Sequence, residues 1–287
     1  THRNVVHSTS ARLHYYQVPV DGFLLLSSIA FDSSVAGIFG TLCQGGRLVL
    51  TAEDSVLDPS VLANTIASRK ISHLLTVPSL YEVILQEIAG KEECLKSVIV
   101  AGESCKKSLI DRHHAYLPQV QLFNEYGPTE ATVWSSVYQC WVNEDAMIPI
   151  GRPISNTCIY LLDVHLNPVP VGIAGELYIG GVGLARGYLN QPDLTAVRFI
   201  PDPWGEIGER LYRTGDLARY RIDGNIEYIG RTDHQVKLHG FRIELGQIEA
   251  ALMQYETVRE AVVMVRESAP GEERLVAYLV ENAQVSD

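Results

Sequence analysis

The chain has 287 residues, 46% of them hydrophobic and 20% charged, with a formal net charge of −11. That length allows one large domain or two to three smaller ones, and dispersed acidic charge disfavours nucleic acid and anionic membranes, which both need a cationic footprint. No apolar run approaches the roughly 20 residues of a membrane helix. No secretory signal pattern opens the chain, and five scattered cysteines without a C-x-x-C pair suit small buried roles in a reducing cytoplasm.

The opening, THRNVVHSTS, reads like the interior of a longer protein, and the end stops just after a strand pattern, so a piece cut at both ends is expected. FLLLSS reads as a buried strand, and SVAGIFGTLCQ has apolar residues at helical spacing, closed by Gly45-Gly46. RLVLT is a strand. PSVLANTIASRK is a helix with Pro59 at its entry. SHLLTV, PSLYEVILQEIAG, SVIVAGE, CKKSLIDRHHAYL and VQLFNEYG continue the alternation. Apolar strands alternating with helices predict a doubly wound, mostly parallel α/β sheet over residues 1–139. After Trp141 the pattern changes to short strands such as CIYLLD, GELYIG and NIEYIG between Gly, Pro, Asn and Asp turns. This predicts a small, distorted antiparallel β-barrel subdomain over 140–230. From 231 a strand pair around HQVKLHGFRIE, a helix LGQIEAALMQY and two further strands predict the start of a small α+β subdomain, 231–287.

Chemistry-bearing residues gather at the ends of these strands. In open parallel sheets ligands bind beyond the carboxyl ends of the strands, and NEYGPTE (Asn124 to Glu130) lies at such an end. Tyr126 there could stack on a flat base, Thr129 could bond a phosphate and Glu130 could hold Mg2+, but Gly-Pro is also turn chemistry in its own right. Asp216 in YRTGDL could accept both hydroxyls of a ribose or simply cap a turn. Asp32 in FDSS is a helix cap or an anchor for a cationic ligand group. GELYIGGVGLARGYL fails as a dinucleotide site, because Arg186 stands where the third glycine belongs and Pro192 interrupts the helix. Around Gly230 and Gly240, Arg231, Asp233, Lys237 and Arg242 form either a solvated charged hairpin or a ligand-gripping hinge. His113-His114 lacks metal-ligand spacing and reads as surface or satisfied core, and GESCK lacks the second glycine of a serine-nucleophile elbow.

The order and spacing of FDSSVAGIF, NEYGPTE, GELYIGGVGLARGYL, YRTGDL and GRTDHQVKLHGFRIELGQIE resemble the amino-acid adenylation domains of nonribosomal peptide synthetases, within the wider superfamily of acyl-CoA synthetases and luciferases. The resemblance covers essentially the whole chain. It implies an AMP-forming ligase that activates an amino acid with Mg2+ and ATP and passes the acyl group to the phosphopantetheine thiol of a peptidyl carrier domain, with condensation domains in the same cytoplasmic synthetase. It implies that Tyr126 stacks on adenine, with Asn124 and Gly127 beside the nucleotide. Thr129 contacts the α-phosphate, Glu130 serves Mg2+, Asp216 holds the ribose, Arg231 assists the nucleotide and Asp233 is the hinge of the small domain. The family's phosphate loop is implied upstream of Thr1 and its catalytic lysine beyond Asp287, so the isolated stretch is expected to lack full activity.

The resemblance also implies a side-chain pocket formed by Asp32, Ser33, Ala36, Thr76, Ile99, Ala101, Glu125, Val133 and Trp134. Asp32 would pair with the substrate α-ammonium. Glu125 is the odd member, since a buried carboxylate needs a partner. It could take a tyrosine hydroxyl or a cationic side chain from the substrate. A tyrosine-like substrate is expected, with a basic one second. Two alternatives remain at this point: an acyl- or aryl-CoA ligase, which has no use for Asp32, and a non-catalytic remnant that only binds.

Overall fold

The computed structural model describes residues 1–51, 58–142, 146–233, 235–238, 240–267 and 273–282. The chain divides into two compact units, Thr1–Gly230 and Arg231–Asp287. The first unit opens with helix α1, His2–Tyr15, which the apolar spacing does not announce; a capping box between Thr1 and Asn4 starts it. Strand β1 (Gly22–Leu25), helix α2 (Ser33–Leu42), β2 (Arg47–Leu50), α3 (Pro59–Ser68), β3 (His73–Thr76), α4 (Pro78–Ile88), β4 (Ser97–Ala101), α5 (Lys107–Tyr116) and β5 (Gln121–Tyr126) follow. Proline enters both α3 and α4 at the first helical position, where its missing N–H costs nothing.

The sheet runs β2-β1-β3-β4-β5 with every pairing parallel. It continues through two antiparallel strands, β6 (Ser136–Cys140) and β7 (Arg152–Pro153). The first sheet therefore ends at Pro153 and not at 140, because β6 turns back beside β5 before the chain leaves. Alternation along the strands builds a core on each face. Leu24, Leu74, Val98 and Leu122 pack against α3, α4 and α5. Phe23, Leu25, Leu75, Ile99 and Phe123 pack on the other face, with Ala11 of α1 and Ala36 of α2. The order reverses between β1 and β3, which makes the carboxyl ends of these strands the switch-point crevice.

The rest of this unit holds β8 (Thr157–Leu162), β9 (Gly175–Gly181), helix α6 (Pro192–Arg198), β10 (Phe199–Pro201), β11 (Arg210–Tyr220) and β12 (Ile226–Arg231), whose last residue crosses the unit boundary. They form an antiparallel sheet in the order β10-β11-β9-β8, with β12 on β11. The link after β9 contains no helix before Pro192, as the rejected dinucleotide motif implies.

The second unit holds the hairpin β13 (Gln235–Leu238) and β14 (Phe241–Glu244), helix α7 (Leu245–Leu252) and the antiparallel pair β15 (Val258–Glu267) and β16 (Glu273–Glu281). The side chains of Lys237 and Arg242 lie outside the described ones. Among the described residues, no helix is long and apolar enough to cross a membrane. The cysteines are all free, but only Cys140 is buried; Cys43 and Cys158 are exposed, since each lies at an element's solvent side.

Candidate functional site

Asp32 follows β1 at the switch point and stands at the N-cap of α2, yet its side chain makes no capping hydrogen bond. The carboxylate therefore does not cap α2; its partners are the Thr129 hydroxyl and the Ser33 N–H. Burial raises its pKa; a hydrogen bond from Thr129 works against that rise, and the nearby Glu130 adds to it. Asp32, Thr129 and Glu130 thus share one patch, although about a hundred residues separate the first from the other two. Ser33 beside it donates to the Ser27 hydroxyl at 2.9 Å.

The NEYGPTE segment turns sharply at the end of β5. A Cβ on Gly127 would lie 2.5 Å from the Trp134 Cα and 2.7 Å from the Val133 carbonyl oxygen, so only glycine lets the chain double back. A short 3-10 turn, Thr129–Ala131, follows, then two β-branched residues with left-handed backbone, Thr132 (φ 64°) and Val133 (φ 78°). Such residues resist that conformation, and surrounding bonds must hold it. The Thr132 hydroxyl donates to the Gly183 carbonyl at 2.6 Å, and the Ser135 N–H donates to the Tyr126 carbonyl at 2.7 Å. The Ala185 N–H donates to the Glu130 carbonyl at 2.8 Å. The glycine-rich link after β9 therefore serves as the clamp on this loop. Glu130 itself accepts from the Tyr188 hydroxyl at 2.6 Å. Burial and this carboxylate hold the Tyr188 phenol far above its usual range.

Tyr126 and Asp216, ninety residues apart, meet directly: the phenol donates to the carboxylate at 2.5 Å, and both are buried. Asp216 lies on β11 where the pairing with β9 slips between Arg213 and Leu217, with Gly215 at φ 78°. A bulge of this kind re-aims a side chain. The Thr214 hydroxyl fixes it, donating to the Leu177 carbonyl at 2.7 Å and accepting the Asp216 N–H at 2.9 Å. Burial first, and the Asp216 charge second, push the Tyr126 pKa well up. Asn124 differs from the expectation. Strand alternation turns it to the opposite face from Glu125, where its buried amide donates to the Pro149 carbonyl at 2.8 Å. That bond ties two segments of the fold together.

The strand register lines up the pocket positions. Leu75 of β3 pairs with Ile99, Thr76 pairs with Val100, and Ala101 pairs with Glu125. Ala36, Ile99, Trp134 and half-buried Val133 pack in one apolar cluster. The Thr76 hydroxyl is buried and bonds to nothing among the described residues. Glu125 corrects the sequence expectation of a carboxylate waiting for a substrate. Its Oε1 and Oε2 accept the two terminal nitrogens of Arg12 at 2.5 and 2.9 Å, and the Tyr16 hydroxyl donates to Oε1 at 2.5 Å. The cation and the phenol both come from the chain itself. Neither Arg12 nor Tyr16 stands out in the sequence, because both sit on or beside a polar helix more than a hundred residues upstream.

Arg231 and Asp233 form a two-pronged pair within the second unit, Nε to Oδ1 at 2.7 Å and Nη2 to Oδ2 at 2.9 Å. The Gln235 N–H also donates to Asp233 Oδ1 at 3.2 Å. The unit boundary falls between Gly230 and Arg231, three residues before Asp233.

Residues 1–189 match the family described as AMP-binding enzyme. The chain is 46% identical over 280 residues to bacitracin synthase 3 of Bacillus licheniformis, covering 97% of this chain and 4% of that protein. It is 47% identical over 264 residues to the phosphinothricin tripeptide synthetase PhsB of Streptomyces viridochromogenes, covering 91% of this chain and 22% of that one. The chain thus spans only a small part of the length of these relatives. Among solved structures, holo-PA1221, a nonribosomal peptide synthetase protein containing adenylation and PCP domains, superimposes with a TM-score of 0.87 at 31% identity, over 98% of this chain and 50% of that one. IdnL1 shares the fold, with a TM-score of 0.90 at 22% identity over 100% of this chain and 60% of that one. With two-thirds of its length matched to one family model and a fold shared with nonribosomal peptide synthetase adenylation domains, the chain belongs to the AMP-binding enzyme family.

Proposed function

We propose that the chain forms part of an amino-acid adenylating ligase in nonribosomal peptide synthesis. The grouping of Asp32, Thr129 and Glu130 at the switch point carries this reading. Asp32 holds the substrate α-ammonium, and its lack of a capping role leaves the carboxylate for that task. This places the substrate carboxylate toward Thr129, whose hydroxyl orients the α-phosphate. Tyr126 and Asp216 receive the base and the ribose of ATP. The reaction is attack of the substrate carboxylate on the α-phosphorus with loss of pyrophosphate, and it depends on positioning and charge neutralisation. Glu130, an oxygen donor next to a second carboxylate, fits Mg2+, which takes one or two carboxylates beside substrate phosphates. When bound, that ion neutralises phosphate charge.

The partners follow from the same reading: a carrier domain whose phosphopantetheine thiol takes the acyl group, and condensation domains of one cytoplasmic synthetase. The relatives named above are a bacitracin synthase and a tripeptide synthetase, and PA1221 contains a PCP domain. Asp233, beside the unit boundary, is the hinge. Asp32 argues against an acyl- or aryl-CoA ligase, because an acid without an ammonium gains nothing from a half-buried carboxylate. The test is ATP–pyrophosphate exchange by the full-length gene product against a panel of amino acids. Exchange that depends on one amino acid or a few supports the reading. Exchange driven only by acids lacking an amine, or by none of the panel, defeats it.

A further inference from the structure

The side-chain pocket has a floor that its nine wall positions do not include. Arg12 rises from α1 and runs past Gly40, one turn beyond Ala36 on α2; a Cβ on Gly40 would lie 3.4 Å from the Arg12 Cδ. The guanidinium then lies 4.3 Å from the Trp134 ring centroid and forks onto Glu125. It also lines one partly open, mainly apolar cavity with Ala36, Ile99, Leu75 and Phe23. Ala36, Ile99, Glu125 and Trp134 are all pocket positions, and the cation bonds to the third, faces the ring of the fourth and shares a cavity wall with the first two. The side chains of Arg12 and Glu125 are 8% and 2% exposed. Helix α1 is held against this wall by the Trp134 indole, which donates to the Ser8 carbonyl at 3.3 Å, and by Asn4, whose amide donates to the Val182 carbonyl at 2.7 Å. Tyr16 completes the plug, stacked on Trp134 with ring centroids 5.9 Å apart.

We propose that Arg12 is a specificity-determining residue that closes the pocket floor and occupies Glu125, so that the site takes a short, uncharged, aliphatic side chain. This rests on the adenylating function proposed above. The charges explain the selection. Arg12 and Glu125 cancel, and a basic side chain entering beside them meets a guanidinium with no free carboxylate. An acidic one adds an unpaired charge to a buried neutral pair. A phenol finds its acceptor already bonded to Tyr16. Burial opposes the Arg12 charge, but Glu125 and Tyr16 together offset it and the pKa rises; burial and Glu125 hold the Tyr16 phenol protonated.

The experiment is ATP–pyrophosphate exchange by the full-length gene product, wild type and Arg12→Ala, with alanine, valine, leucine, tyrosine, ornithine, lysine and arginine. The wild type should prefer a short aliphatic amino acid. Arg12→Ala opens the floor and leaves Glu125 unpaired, so kcat/KM for a basic amino acid relative to the wild-type favourite should rise roughly 10- to 150-fold, the worth of a hydrogen bond to a charged group. Free guanidinium should reverse that gain by refilling the floor. In Arg12→Met/Glu125→Leu, which leaves no buried charge, no gain for basic side chains should appear. A wild type that prefers a basic or phenolic amino acid overturns the inference even if Arg12→Ala fails to fold. So does a folded Arg12→Ala with unchanged preferences, which would make the pair merely structural. A wild type that activates no amino acid defeats the proposed function instead.

Discussion

At the residue scale, Asp32 is a half-buried carboxylate that costs the fold stability. In the unfolded chain it titrates near 3.8; burial raises that value in the fold. Between the two, the folded chain holds a proton that the unfolded chain has lost, so stability falls as pH rises through the window. Above it the folded chain carries a half-buried charge at full cost. Asp32→Asn should therefore raise Tm at pH 7 by about 2–4 °C, for roughly 1 kcal/mol relieved, and calorimetry at pH 7 checks this. A lowered Tm would mean that the hydrogen bonds from Thr129 and Ser33 outweigh the burial. From the residues alone Asp32 stayed open between helix cap and ligand anchor, and only the family resemblance favoured the anchor. Arg12 was not legible in the sequence: its partner Glu125 lies 113 residues away, and nothing local in a polar helix marks a side chain that will be desolvated.

At the element scale, the loop from Gly127 to Trp134 depends on backbone contact. Gly127→Ala puts a methyl group against backbone atoms that cannot swing aside, and should cost more than about 2 kcal/mol. Gly246→Ala, helical and open around its Cα, should be neutral or stabilising by up to about 1 kcal/mol. Urea unfolding of both variants tests the contrast, and equal effects would mean that the turn tolerates a side chain. Two buried histidines set an acid limit. Burial lowers His73 and His113 to about 4. The His113 ring is held between the Tyr81 hydroxyl at 2.6 Å and the Val120 carbonyl at 2.7 Å, the satisfied core placement that its spacing allowed. Below 6.5 the unfolded chain gains protons that these rings refuse, so stability is full above 6.5 and is lost as pH falls toward 4. At pH 5 each histidine should cost on the order of 2 kcal/mol relative to pH 7, and urea unfolding at both values measures it. The alternating strands and helices of the parallel sheet were readable from periodicity. Helix α1 was not, since its helical spacing is polar and only its capping box signals a start. β11 was masked by its own bulge, which places Thr-Gly-Asp inside a strand and makes it read as a turn.

At the scale of the whole molecule, the division after Gly230 separates a unit with its own two-faced core from the hairpin, helix and strand pair that follow. A chain ending at Gly230 should still unfold cooperatively, with a Tm within a few degrees of the intact chain, because the parallel sheet keeps both its cores. A molten or insoluble product would show that the second unit is needed for folding. In the function proposed above, Asp32 grips the substrate amino acid by its ammonium. The most direct measurement is kcat/KM for adenylation by the full-length gene product and by Asp32→Asn, each with the preferred amino acid and with the matching acid that lacks the amine. Asp32→Asn should lose roughly 10²–10³-fold for the amino acid, as for a truncated buried charge pair, and change little for the acid lacking the amine. Equal losses for both substrates, or none for either, would contradict it.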